Sequence, residues 1–407
     1  MQRDTAEVAL QSRASCRISR PSPGSATLRP VSARPPVEKS KRVVIKVGTA
    51  VLTDASGRFD RAHFSKLCAE LTSAARSREL VVVTSGAIAL GVERLGLASR
   101  PKDIPGKQAA AACGQSRLMQ AYDQAFAEQE LAVAQILLTH DDVASRKRYL
   151  NARRALAELA AHKVVPVINE NDTVSVDELK FGDNDALAGV VAGLVEAELL
   201  VILSDVAGLY DQDPRKNPSA KLLSTVDRVT AELERAAGGS VSGVGTGGMA
   251  TKVRAARRAT EIGCHVVITS GKDASNIGKV LAGEPVGTHF PPATSRLSAR
   301  KRWLAHATKP KGSLEVDAGA VEAIARKGKS LLPSGIRDVR GTFGLGEPVD
   351  ITGPDGAPFA RGISGYAADE LRLLAGKKSS EIEKVLGYRY LDEAVHRDDL
   401  VLLDAAR

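Results

Sequence analysis

Val43-Val44-Ile45-Lys46-Val47-Gly48-Thr49 is an apolar run, β-branched everywhere but at the lysine, that stops abruptly at a glycine and a hydroxyl. In a strand successive side chains point to opposite faces, so a run apolar at every other position on both faces needs cover on both sides. The lysine inside it is costly unless its ammonium reaches a polar site at the strand end; the alternative is an edge lysine stretched into solvent. Five further runs share the Val/Ile/Leu character: Leu80–Thr84, Leu131–Leu137, Val164–Ile168, Leu199–Leu203 and His265–Thr269. Helical patterns lie between them at Ala62–Ser77, Gly106–Gln129, Ser145–His162, Asn184–Glu196 and Gly248–Ile262. Strand and helix alternating over residues 42–292 predict an α/β fold, a three-layer αβα sandwich with a mainly parallel sheet. Thr173–Phe181 alternates polar and apolar residues and predicts a small hairpin at the sheet edge.

Residues 293–311 change character, carrying Arg296, Arg300, Lys301, Arg302, Lys309 and Lys311 with no acid, and read as an exposed linker. Beyond it, residues 312–395 show short strands, the glycine-rich turns Gly341–Gly346 and Gly353–Gly356, and helices at Ala318–Arg326, Ala368–Leu374 and Ser379–Leu386. This predicts a small, separate β-rich domain.

The chain has 407 residues and a formal net charge of +9. Residues 1–42 hold nine Lys/Arg against three Asp/Glu, a net of +6, which leaves +3 for the rest. The basicity therefore belongs mostly to a tail, residues 1–41, rich in Arg, Ser and Pro and without an apolar segment of the secretory kind. It reads as a disordered extension or a start assigned too early, with an organelle transit peptide as the alternative. No apolar run approaches the ~20 residues that span a bilayer. Cys16, Cys68, Cys113 and Cys264 are scattered singly, which points to a reducing, cytoplasmic setting and away from disulfides or zinc. The seven histidines are equally dispersed and read as solvated or core residues.

In open α/β sheets ligands bind beyond the carboxyl ends of the strands, so the polar residues there carry the chemistry. After the second strand comes Ser85-Gly86-Ala87, a hydroxyl–glycine turn into a helix. After the fourth come Asn169-Glu170-Asn171-Asp172 and then Gly182-Asp183-Asn184-Asp185, amides and carboxylates suited to the ammonium and carboxylate of an amino acid. Asp185 can hold two lysines, and Asp183 can approach Mg2+. After the fifth, Ser204-Asp205 can line an adenine or ribose site. The loop Gly243-Val-Gly-Thr246-Gly247-Gly248-Met249-Ala250-Thr251-Lys252 offers backbone N–H groups, two hydroxyls and an ammonium at a helix N-terminus, as phosphate binding requires. It lacks the Gly-Lys-Ser/Thr of a Walker loop. Two lysines, glycine loops and few candidate bases fit phosphoryl transfer, which depends on positioning and charge neutralisation.

Taken together and in this order, these motifs resemble the amino-acid kinase family, in its glutamate-phosphorylating branch that starts proline synthesis. The resemblance runs from about Arg42 onward, and residues 312–395 resemble a PUA domain. It implies transfer of the ATP γ-phosphoryl group to the side-chain carboxylate of L-glutamate, with Mg2+ accompanying ATP. By motif, Lys46 and Lys252 would stabilise the transferring group and Asp185 would orient both. Ser85, Asn169, Asp172 and Asn184 would bind glutamate. Lys46, Ser204, Asp205, Thr246, Gly247, Gly248, Met249, Ala250, Thr251 and Lys252 would hold ATP. Ala250 stands where serine is common and Ser204 where threonine is frequent; neither change removes a charge. The family also implies proline as feedback inhibitor and a homo-oligomer, dimer or tetramer. Alternative readings are a relative acting on carbamate, aspartate or acetylglutamate, and RNA binding through the PUA segment. That segment holds 11 Lys/Arg against 13 Asp/Glu, whereas affinity for RNA phosphates calls for a basic excess.

Overall fold

The computed structural model describes residues 33–175, 184–237, 248–295 and 309–403. A seven-stranded sheet is formed by β1 (Arg42–Val47), β2 (Glu79–Val83), β3 (Val133–Leu138), β4 (Val165–Glu170), β5 (Leu199–Ser204), β6 (His265–Ser270) and β7 (Thr288–Phe290). Their order is β3-β4-β2-β1-β5-β6-β7, with β1 to β6 parallel and β7 antiparallel to β6. The helices of this domain are α1 (Pro35–Glu38), α2 (Thr49–Leu52), α3 (Arg61–Ser77), α4 (Ala87–Arg94), α5 (Ile104–Ala127), α6 (His140–Ala144), α7 (Arg146–Ala161), α8 (Asn184–Leu194), α9 (Ala231–Ala237), α10 (Met249–Glu261) and α11 (Asn276–Leu281). The expected three-layer, mainly parallel architecture is therefore present.

Strand parity decides which residue faces which layer. Val43, Ile45 and Val47 enter one core with Phe64 and Leu67 of α3, Leu118 and Tyr122 of α5 and Ile277 of α11. Val44 enters the other, with Leu187 and Val191 of α8 and Val253 and Ala256 of α10. Each fully buried side chain of this size contributes about 1.5–3 kcal/mol, so both faces of β1 are anchored. Lys46 shares the parity of Val44 and so projects toward α8 and α10.

Two glycines let α4 and α5 cross closely. A Cβ on Gly114 would lie 1.7 Å from the Ala87 carbonyl oxygen, and one on Gly91 1.7 Å from that of Ala110. Side chains are excluded there by sterics, not by backbone conformation. α5 opens with Asp103, whose carboxylate accepts from Gly106 N–H at 2.7 Å.

Part of the segment that composition assigns to the tail belongs to the folded body. Val37 in α1 is fully buried, and the Arg34 guanidinium donates to the carbonyls of Val286 (2.7 Å), Ser224 (2.8 Å) and Gly287 (3.1 Å). Burial brings the Arg34 pKa down to about 10. One apolar residue and one arginine lie below any periodicity, so the boundary at residue 41 falls too late; residues 1–32 lie outside the described part. Three residues are likewise too few for β7 to stand out. His289 on β7 stacks on His265 of β6, with Nδ1 of His265 3.0 Å from Nε2 of His289. Of the expected edge hairpin, Thr173–Phe181, only residues 173–175 are described, and most of the basic linker lies outside the description.

The second sheet, β8 (Gly312–Val316), β9 (Ile336–Gly341), β10 (Pro348–Thr352), β11 (Pro358–Ile363) and β12 (Leu400–Leu402), has the order β12-β11-β10-β8-β9. Its helices are α12 (Ala318–Ala325), α13 (Ala368–Leu374) and α14 (Ile382–Leu386). β12 lies beyond residue 395, where sequence pattern ends this domain. Leu150 of α7 packs with Ile363 and Val401, and Arg153 meets Asp399 at 3.1 Å. Among the described residues no helix is long and apolar enough to cross a membrane.

Replacing Gly114 by alanine should destabilise the protein by about 3 kcal/mol, the upper end of overpacking costs, measured by denaturant unfolding. A loss below about 1 kcal/mol would contradict the tight α4–α5 crossing.

Candidate active site

The carboxyl ends of β1, β4 and β5 and the first turns of α8 and α10 meet at one place. Asp185, the second residue of α8, is fully buried. Its Oδ1 lies 2.5 Å from Lys46 Nζ and its Oδ2 3.1 Å from Lys252 Nζ. Lys252 sits in the first turn of α10, and both lysine side chains are almost wholly withdrawn from water. The α8 N-terminus favours the carboxylate, whereas a lysine in the first turn of α10 opposes that helix dipole and needs the carboxylate to offset it. Two ammoniums on one carboxylate leave a formal excess of one positive charge in a buried place. Desolvation makes that arrangement expensive as a stability device, and it attracts an anion strongly.

Thr251 adds to the cluster. Its hydroxyl lies 2.9 Å from Asp185 Oδ2 and 2.7 Å from the Gly248 carbonyl, two acceptors for one proton. Gly48, after β1, leaves room beside the lysine: a Cβ there would be 3.2 Å from Lys46 Nζ.

A chain of amides runs alongside. The Asn184 Nδ2 group donates to the Thr84 carbonyl (2.7 Å), Ser85 Oγ (2.8 Å) and Asn169 Oδ1 (2.9 Å). Asn169 Oδ1 also accepts from the Glu170 N–H at 2.9 Å, and Asn169 Nδ2 donates to Gln115 Oε1 at 2.8 Å. Thr84 is itself pinned by a 2.8 Å hydroxyl contact with the fully buried Tyr122. Of the four residues that sequence assigns to the substrate, Ser85 and Asn169 are thus both in direct contact with Asn184. Asp172 follows in the turn after β4, where Asn171 N–H donates to the Leu138 carbonyl. Gln115 on α5 escapes the sequence reading. The available signal is a polar residue on the buried stripe Ala111, Leu118, Tyr122 of an alanine-rich helix.

On the other side of the lysines, Ser204 ends β5 buried, its hydroxyl 3.1 Å from Asp205 Oδ1. Gly248 caps α10, and Met249 and Ala250 pack against the α8–α10 core. Thr246, Gly247 and Asp183 lie outside the described residues. Among the described residues no group of three or more His, Cys, Asp or Glu is arranged to hold a metal ion.

A parallel sheet with a glycine-opened helix and a buried lysine pair at its carboxyl ends defines a phosphotransferase, and a model of the amino acid kinase family matches residues 41–270. A PUA domain model matches residues 312–386. A glutamate 5-kinase of Myxococcus xanthus is 62% identical over 372 residues, covering 91% of this chain and 99% of that protein. Another, of Anaeromyxobacter dehalogenans, is 55% identical over 378 residues, covering 92% and 100%. A carbamate kinase from Giardia lamblia bound to AMP-PNP aligns with a TM-score of 0.47 and 17% identity, covering 62% of this chain and 99% of that one. The chain belongs to the amino acid kinase family, among its glutamate 5-kinases.

Asp185→Asn should lower the unfolding free energy by about 3–5 kcal/mol, because a neutral amide leaves two buried ammoniums uncompensated. A loss under about 1 kcal/mol in denaturant titration would show that the lysines do not depend on this carboxylate.

Proposed function

We propose that the protein transfers the γ-phosphoryl group of ATP to the side-chain carboxylate of L-glutamate, forming glutamyl 5-phosphate and ADP, the first step of proline biosynthesis. The observation that carries this reading is the one carboxylate of Asp185 holding both Lys46 and Lys252 beside a hydrogen-bonded chain of amides. The attacking carboxylate oxygen forms a bond to the γ-phosphorus as the bond to the β,γ-bridging oxygen breaks, and ADP leaves with that electron pair. The nucleophile is ionised at neutral pH, since a free glutamate side chain titrates near ~4.3, so no general base is needed. This explains a site rich in cations and poor in bases.

The excess positive charge of Lys46 and Lys252 compensates the charge spread over the equatorial oxygens of the transferring group. Ser85 accepts from Asn184 and keeps its own hydroxyl proton to donate to substrate. Asp172 and Asn169 complete the glutamate side, and Ser204, Asp205 and residues 246–252 the nucleotide side. Mg2+ would accompany ATP as part of that substrate and would help neutralise its phosphate charge. Asp183 is the carboxylate nearest in sequence to approach that ion. The same reading includes a cytoplasmic homo-oligomer restrained by proline.

Lys46→Met and Lys252→Met should each lower kcat at least ~100-fold while leaving a cooperative thermal transition, since one preorganised charge is worth several kcal/mol in the transition state. Near-normal turnover in both variants would sink the mechanism. Asp172→Ala should raise the KM for glutamate far more than that for ATP in steady-state assays; equal changes would remove it from the glutamate site.

A further inference from the structure

The amide chain has a direction, and two backbone atoms set it. The Thr84 carbonyl has no hydrogen, so the Asn184 atom 2.7 Å from it must be the NH2 group. The Glu170 N–H can only donate, so the Asn169 atom 2.9 Å from it must be the oxygen. Asn169 then faces Gln115 with its own NH2 group, and Gln115 must answer with Oε1. The amide assignments follow from backbone chemistry and leave no freedom to flip one member alone.

The consequence lies at the two ends. Gln115 Nε2, a donor, and Asn184 Oδ1, an acceptor, are both buried without a hydrogen-bond partner among the described residues. Leaving either unsatisfied costs about 1–3 kcal/mol, so a pair at opposite ends of one fixed chain calls for a ligand that supplies both missing partners. A zwitterionic α-amino acid does so, with a carboxylate to accept and an ammonium to donate. Asn184 adjoins Asp185 and the lysines, where the phosphoryl acceptor must lie, while Gln115 stands one amide further away. The α-carbon of the substrate then lies between the two orphaned atoms, its carboxylate toward Gln115 and its ammonium toward Asn184.

Resting on the glutamate reading above, we propose that Gln115 binds the substrate α-carboxylate through Nε2, that Asn184 Oδ1 accepts from the α-ammonium, and that Gln115 thereby sets specificity for α-amino acids. It also positions Asn169 through Oε1, so the test must separate the two roles. Gln115→Glu does this: its carboxylate still accepts from Asn169 Nδ2 but replaces the donor with a negative oxygen.

The experiment compares wild type and Gln115→Glu with L-glutamate and with 4-aminobutyrate, which keeps the amine and the reacting carboxylate but has no α-carboxylate, both at saturating ATP. The variant should raise the KM for L-glutamate about 10- to 100-fold, leave the ATP KM within about 3-fold, and leave kcat/KM for 4-aminobutyrate nearly unchanged. Unchanged glutamate kinetics, or an equal loss with both substrates, would overturn the assignment. Should Gln115→Glu show no cooperative thermal transition, Gln115→Met, which removes the donor together with the acceptor to Asn169, keeps the test through substrate selectivity alone. It must narrow the preference for L-glutamate over 4-aminobutyrate. A wild type that phosphorylates neither compound would instead refute the glutamate reading itself.

Discussion

A carboxylate without solvent exposure, shared by two ammonium groups from different elements, constrains this molecule more than any other contact. Asp185 reaches Lys46 at 2.5 Å and Lys252 at 3.1 Å, and each partner depends on a separate piece of fold geometry. Lys46 is there because strand parity turns it away from the α3–α5 face. Lys252 is there because a glycine cap starts α10 at the sheet's carboxyl edge. Asp185 is there because α8 starts at the same edge. Shifting β1 by one residue would turn the lysine into the opposite core. The excess charge that makes the triad a poor stabilising device gives a phosphoryl group a preorganised place to react.

The polar network beside the triad obeys a second constraint, the supply of donors and acceptors. Three amides and a serine pass hydrogen bonds from β2 through β4 to α5, and backbone atoms decide which way each amide points. The close crossing of α4 and α5 brings Gln115 into reach, since Gly114 beside it admits no side chain. Packing at the glycines and recognition at the amides are thus consecutive on one helix. The orphaned donor and acceptor at the chain's ends describe a ligand by its charges before any ligand is named.

Much of this was legible in the residues alone. β1, β4 and β5 declare themselves as apolar runs, and the triad is found from three separate signals: a lysine inside the first run, the Gly182–Asp185 cluster that follows the segment after β4, and the glycine loop that opens α10. What stayed hidden had physical reasons. β7 and α1 are shorter than any period that could reveal them, and Arg34 is recognisable as structural only once three carbonyls surround it. Gln115 is masked by the alanines around it, because the helical pattern there is carried by small residues with a weak amphipathic contrast. Thr251 sits in a loop that reads as nucleotide-binding, yet its hydroxyl is found against Asp185. Charge and turn chemistry report where a site is; which atoms face one another depends on helix crossings that no local pattern encodes.

The measurement that bears most directly on this account traps the acyl phosphate with hydroxylamine in the presence of MgATP. L-Glutamate, L-aspartate and N-acetyl-L-glutamate are offered side by side. A pocket with a fixed donor and a fixed acceptor should favour L-glutamate in kcat/KM by at least about 100-fold, because each rejected analogue leaves a buried polar group unpaired or misplaced. Hydroxamate formed equally well, or better, from aspartate or from N-acetylglutamate would contradict it.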